Sequence, residues 1–400
     1  MKTQVGRAET AVFLALVLFV HTLVGGSSAK TGAFLVGAFP AAARPRLAFH
    51  QQAINISASE RDSRYPALAV SDGIAHIVWE ENERVYHSYS RGETWSSGRS
   101  VAVGEQPAIA ADARNRAHVV FVNLFGGNYE IYHCRWNGIS WSLPRNVSNT
   151  SGVSSAPSLA IAPDGTVHVV WADNTPGYNV IYHAYWNGTY WINEPIPHAM
   201  GGAPAVAVGR DAALHVVWQD RDWPDAPYEI YYSRRDDGDW SLPENLSDSA
   251  TQPSIIPTVA ADPDGQAHVG WQEKEGGQYA IYYTLGRVGF WSIPERISNG
   301  EGEAYLPSLA VSRSKTAYLG WDESTLALYR QRGVVDASWS QTVQVTRDPM
   351  GVVGLQLAVE SDGRLHSAWA RRTASGKWDV FYQYLSFKLV LPIALKSYLG

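Results

Sequence analysis

The chain has 400 residues, a formal net charge of −6 and one cysteine, Cys134. One cysteine excludes an intrachain disulfide framework, and mild acidity with no basic stripe excludes an electrostatic footprint for nucleic acid. The 16 Trp and 21 Tyr supply material for a large packed interior.

The N-terminus reads as an export signal. Lys2 and Arg7 flank the start of an apolar run at residues 11–24. Small residues at 25–29 then offer a cleavage point after Ala29, which defines a signal peptide over 1–29. The run is short of the roughly 20 residues that a spanning helix needs. Membrane contact is therefore expected only through this segment, cleaved or kept as an anchor. Residues 30–50 have no clean period and read as a linker.

From Pro66 onward one pattern repeats. It reads Pro-x-Leu-Ala-Val, a turn, His-Val-Val-Trp-x-Asp, a variable loop, Ile-Tyr-Tyr, a turn, then Trp-Ser-x-Pro-x-x-Ile-Ser. The aromatic that ends the second run is Trp79, Phe121, Trp171, Trp218, Trp271, Trp321 and Trp369, at intervals of 42 to 53 residues. Each copy holds four short β-type runs. Asp72-Gly73, Asp164-Gly165, Asp264-Gly265 and Asp362-Gly363 follow the first run, and Asn137-Gly138 and Asn187-Gly188 the third. Such dipeptides supply the positive φ of tight hairpins. Four strands per repeat at this period predict an all-β, seven-bladed β-propeller over residues 51–387. The seventh copy lacks its own fourth strand, and the missing piece stands before the first copy as Ile54-Asn55-Ile56-Ser57. The N-terminal strand is thus expected to close the ring. Residues 388–400 form an apolar, basic tail too short to span a membrane.

The stretch SYSRGETW, residues 88–95, resembles the Asp-box of the sialidase superfamily, Ser-x-Asp-x-Gly-x-Thr-Trp. Ser88, Gly92, Thr94 and Trp95 keep the spacing, and Ser90 stands in the Asp slot. Degenerate copies follow at 134–141 and 184–191. The resemblance implies a propeller in which this turn is structural, lies away from the active face, and packs its Trp between blades. It also implies a carboxylate-gripping arginine just before the first inner strand, where Arg64 stands. The rest of the family's machinery comprises two further arginines, a tyrosine tuned by a glutamate, and an acid/base aspartate after the second strand of blade 1. Here that loop, residues 81–84, contains no aspartate. Sialidase domains of this family have six blades, against seven copies here.

Two further series run through the repeats. His76, His118, His168, His215, His268 and His366 precede the second-run aromatic. Metal–nitrogen bonds are about 2 Å, whereas packed sheets lie roughly 10 Å apart, so these imidazoles cannot share an ion. They are expected to bridge to neighbouring blades, with no metal and no cofactor. Two residues after the aromatic stand Glu81, Asn123, Asp173, Asp220, Glu273, Glu323 and Arg371. The long second-to-third loops begin there, so a polar ring is expected on one face. Trp223 and Tyr228, in the longest loop, are the expected aromatic platforms. Rings that stack on sugar faces beside hydroxyl acceptors suit a carbohydrate. The sequence thus points to an exported propeller that binds a glycan or cell-surface polymer without hydrolysing it. An exo-sialidase-type hydrolase using Arg64 and a protein-interaction scaffold are the alternatives.

Overall fold

The computed structural model describes residues 48–49, 52–221, 225–249, 251–300, 302–333 and 338–386. The signal peptide, the C-terminal tail and Trp223 lie outside the described residues, as does the linker apart from Ala48–Phe49. No described helix is long and apolar enough to cross a membrane.

Seven antiparallel sheets follow the seven sequence repeats. Their inner strands are Ser63–Ser71, Glu105–Ala111, Ser154–Ile161, Gly202–Val208, Ser254–Ala261, Ala304–Val311 and Val352–Val359. Each runs into a tight turn, and in blade 1 both Asp72 and Gly73 of that turn take positive φ, 47° and 77°. This is the backbone that the Asp-Gly pair predicts.

The ring closes as expected. Ile54–Asn55 pairs with Tyr382 and Phe381 of the last blade, and Ala48–Phe49 adds to the same strand at Ser386 and Leu385. Ile56 sits in a cluster with Trp79 of blade 1 and Tyr382 of blade 7, so the closing strand is packed as well as paired.

The core lies between blades. Trp79, Phe121, Trp171, Trp218, Trp271, Trp321 and Trp369 are fully buried, one per blade. The strand that carries them is apolar on both faces because both faces meet another sheet. The recurrent histidines do not bridge to the neighbouring blade. Each pairs across its own sheet to the third strand. His76 Nδ1 is 3.0 Å from His87 Nε2, and the same spacing joins His118 to His133 and His168 to His183. Tyrosine replaces the partner in His215–Tyr232, His268–Tyr283 and His366–Tyr382. The link between blades is made by those third-strand rings, which meet the outer Trp of the next blade edge-on. His87 meets Trp141, His133 meets Trp191, and Tyr382 meets Trp95 across the closure at 4.6 Å. The expected bridge to a neighbouring blade is replaced by a partner in the same sheet, because the repeat fixes the strand of each histidine but not which ring faces it.

Candidate functional site

One face of the ring gathers the starts of the inner strands, the ends of the second strands and the second-to-third loops. Antiparallel pairing dictates this, since Ser63 lies opposite Glu81, Ser154 opposite Asp173 and Ala304 opposite Glu323. The residue two after each of these aromatics falls on this rim, and in five blades it is an acid. In four blades it accepts the indole N–H of its own tryptophan: Trp79 to Glu81 at 3.4 Å, Trp171 to Asp173 at 3.3 Å, Trp271 to Glu273 at 3.0 Å and Trp321 to Glu323 at 3.3 Å. Glu81 and Asp173 are buried and also receive the hydroxyls of Ser63 and Ser154 at the start of the inner strand. Burial opposes ionisation of Asp173, but hydrogen bonds from Thr175, Ser154 and Thr150 outweigh it and hold the carboxyl below its usual range. Asn123, Asp220, Glu273, Glu323 and Arg371 are half-buried. Arg371 pairs with Asp348 at 3.3 Å and lies over the Phe381 ring.

Arg64 also stands on this rim. It pairs with Asp62 at 3.0 Å and lies 5.3 Å from the centre of the Trp378 ring. Tyr228 lies beneath the Arg221 guanidinium at 5.3 Å. With Tyr129, Tyr178 and Tyr279 it forms an arc of tyrosines where the loops of blades 2 to 5 lead into the third strands. Tyr129 and Tyr178 are the most open of these, at 39% and 57% exposure.

The inner strands carry a second, sevenfold device. In every blade the pairing with the second strand slips near its start. The slipped residue is Tyr65, Gln106, Ala156, Ala203, Ile256, Leu306 and Gly354, all with positive φ. The first six precede a proline, which ordinarily favours extended backbone. A bulge therefore turns each slipped amide out of its own ladder. Several of these amides are caught by the previous blade. Ala156 N–H donates to Gln106 Oε1 at 2.9 Å, Ile256 N–H to Gln219 Oε1 at 2.8 Å, Leu306 N–H to Gln272 Oε1 at 2.7 Å and Gly354 N–H to Asp322 Oδ2 at 2.5 Å.

A cavity of 370 Å³ opens among these latches at blades 5 to 7. Ile256, Leu306, Val352 and Val353 give it apolar walls, and Gln272, Asp322, Tyr305 and Ser324 supply polar groups. Gly354 takes φ of +72° at the seventh bulge, and a Cβ there would meet only Pro66 at 3.5 Å. Tyr305 donates its hydroxyl to Glu303 and lies 5.8 Å from the Tyr279 ring. That hydrogen bond, with burial second, pushes the Tyr305 hydroxyl up to about 12.

Solved structures were compared with this geometry in place. An ulvan lyase of polysaccharide lyase family 25 superposes with a TM-score of 0.62 at 10% identity, over 82% of this chain and 95% of that one. A Dyadobacter fermentans protein of unknown function gives 0.54 at 11%, over 86% and 99%. The Fusarium graminearum α-L-arabinofuranosidase gives 0.52 at 14%, over 83% and 96%. These likenesses show the fold alone, that of a propeller. No protein-family model matches the sequence, and no curated protein matches it.

Within this propeller, the sequence places the rim residues on one face but does not show the cavity. Gln272 and Asp322 sit one residue after the tryptophan, not two, and point to the next blade. The proline that recurs in six of the seven inner strands was the available signal, because it marks where the pairing slips.

Proposed function

We propose that the protein is an exported propeller that binds a carbohydrate polymer at this rim without hydrolysing it. The cavity between blades 5 and 7 carries the reading, since apolar walls with a few convergent polar groups are what a sugar ring needs. The tyrosine arc extends the surface over four further loops. Of the residues expected from sequence, Tyr228, Asn123, Asp220, Glu273 and Glu323 are the ligand contacts we favour, with Glu81 and Asp173 holding the rim in place. Export rests on the apolar run at residues 11–24. Propellers of similar fold include an ulvan lyase, a further polysaccharide lyase and an arabinofuranosidase, which is consistent with a glycan ligand.

A hydrolytic reading has one observation in its favour, the Tyr305–Glu303 pair at the cavity. Arg64 is not among the cavity walls, and neither is any other arginine. A glycan array probed with the full chain, read beside reducing-end release on the same polymers, separates the readings. Retention with no release is expected. A blank array across sugar classes overturns the carbohydrate reading. Release that Tyr305→Phe abolishes establishes the hydrolase instead.

A further inference from the structure

The cavity has a charge character that bears on its ligand. Among the described residues Asp322 is the one charged group in its walls, and no described lysine or arginine joins it. The side chain is only 4% exposed. Its partners are backbone amides, Gly354 N–H on Oδ2 and Leu355 N–H on Oδ1 at 3.2 Å. No ion pair to Asp322 occurs among the described residues. Across the sheet it faces Tyr305 on one side and Ala327 on the other. Burial, against the two amide hydrogen bonds, pushes its carboxyl up to about 7.

We propose that this cavity takes a neutral sugar ring and excludes rings that carry a carboxylate, sulfate or phosphate. The inference rests on the carbohydrate reading and names the ligand class of the same site. A carboxylate without a cation, set in apolar walls, has spare acceptor capacity that a ligand hydroxyl fills with a charge-assisted hydrogen bond. A second anion beside the ionised carboxylate meets repulsion, with no basic group among the described walls to offset it. Ile256, Leu306 and Val352 meanwhile offer the apolar contact that sugar C–H faces require.

The test is calorimetric titration of the full chain with two panels. One holds neutral gluco-, galacto- and arabino-oligosaccharides, the other oligogalacturonides and sulfated galactan fragments. Neutral ligands are expected to bind, with acidic counterparts at least tenfold weaker. Asp322→Asn leaves one acceptor oxygen for the two backbone amides, so its thermal midpoint is expected to fall. It is also expected to lose tenfold or more in affinity for the neutral ligand when titrated well below that midpoint with the fold intact by circular dichroism, a loss that a structural role alone would not give. Val353→Lys, which adds a cation to the wall without touching Asp322, is expected to shift preference toward the acidic panel. Binding confined to acidic ligands, or wild-type affinity in Asp322→Asn, overturns this inference alone. Binding to neither panel overturns the carbohydrate reading along with it.

Discussion

At the scale of single residues, the same side-chain type serves opposite ends on this rim. Asp173 is completely buried and accepts from Thr150 and Ser154 at 2.7 Å, from the Thr175 amide at 2.8 Å and from the Trp171 indole. Removing it strands several buried donors, and each lost charge-assisted bond is worth about 1.5–3 kcal/mol. Asp173→Ala is therefore expected to destabilise the chain by about 3 kcal/mol or more in urea unfolding. An unchanged midpoint would show that water replaces the carboxylate. Asp322 is the converse case. Its folded carboxyl is raised from 3.8 to about 7, so its contribution to stability declines as pH climbs through that range. The sequence shows an acid near the end of five of the seven second strands. Whether a given acid caps its own blade or opens on a cavity depends on one residue of offset, which alternation converts into opposite faces.

At the scale of the strand pair, blades 1 to 3 differ from the rest. They hold stacked His–His pairs where blades 4, 5 and 7 hold His–Tyr. Burial lowers His76 and His118 from 6.5 to about 4 and His133 and His168 to about 3, and it lowers His87 and His183 as well. These groups stay neutral when folded, whereas the unfolded chain protonates near 6.5. Stability is then fully present above pH 6.5 and declines as pH falls toward about 4. Each extra proton held by the unfolded state lowers it by about 1.4 kcal/mol per pH unit. Asp322 works in the opposite sense, but as one proton against several. Urea midpoints should fall steeply between pH 7 and pH 5, with amide exchange rising first in blades 1 to 3. His133→Tyr, which copies the pairing of the later blades, should flatten that profile, and an unaltered slope would refute the assignment. The histidine positions were plain in the sequence. Their partners were not, because two strands of one sheet and two neighbouring sheets are equally compatible with a repeat spacing.

At the scale of the whole molecule, the ring depends on a short strand that reaches back to the last blade. Ile56 is 6% exposed, its amide donates to Val380 O at 2.8 Å, and Ser57 Oγ accepts the Val380 amide at 2.9 Å. Ile56→Ala is expected to cost about 2–4 kcal/mol, as cavity-forming changes in cores do. It should also promote association through the edge of blade 7, read as a larger species in size-exclusion chromatography. A monomer of unchanged stability would mean that the ring stands without its closure. Blade number, strand order and this closure were all determined by the sequence alone, because hairpin turns and the fifty-residue period are local properties of the chain. The His–Tyr–Trp stitching, the capture of bulged amides by the previous blade and the cavity at blades 5 to 7 were decided only by tertiary structure. Each assembles groups from two or three repeats, and no local pattern records which side chains of separate repeats come to face one another.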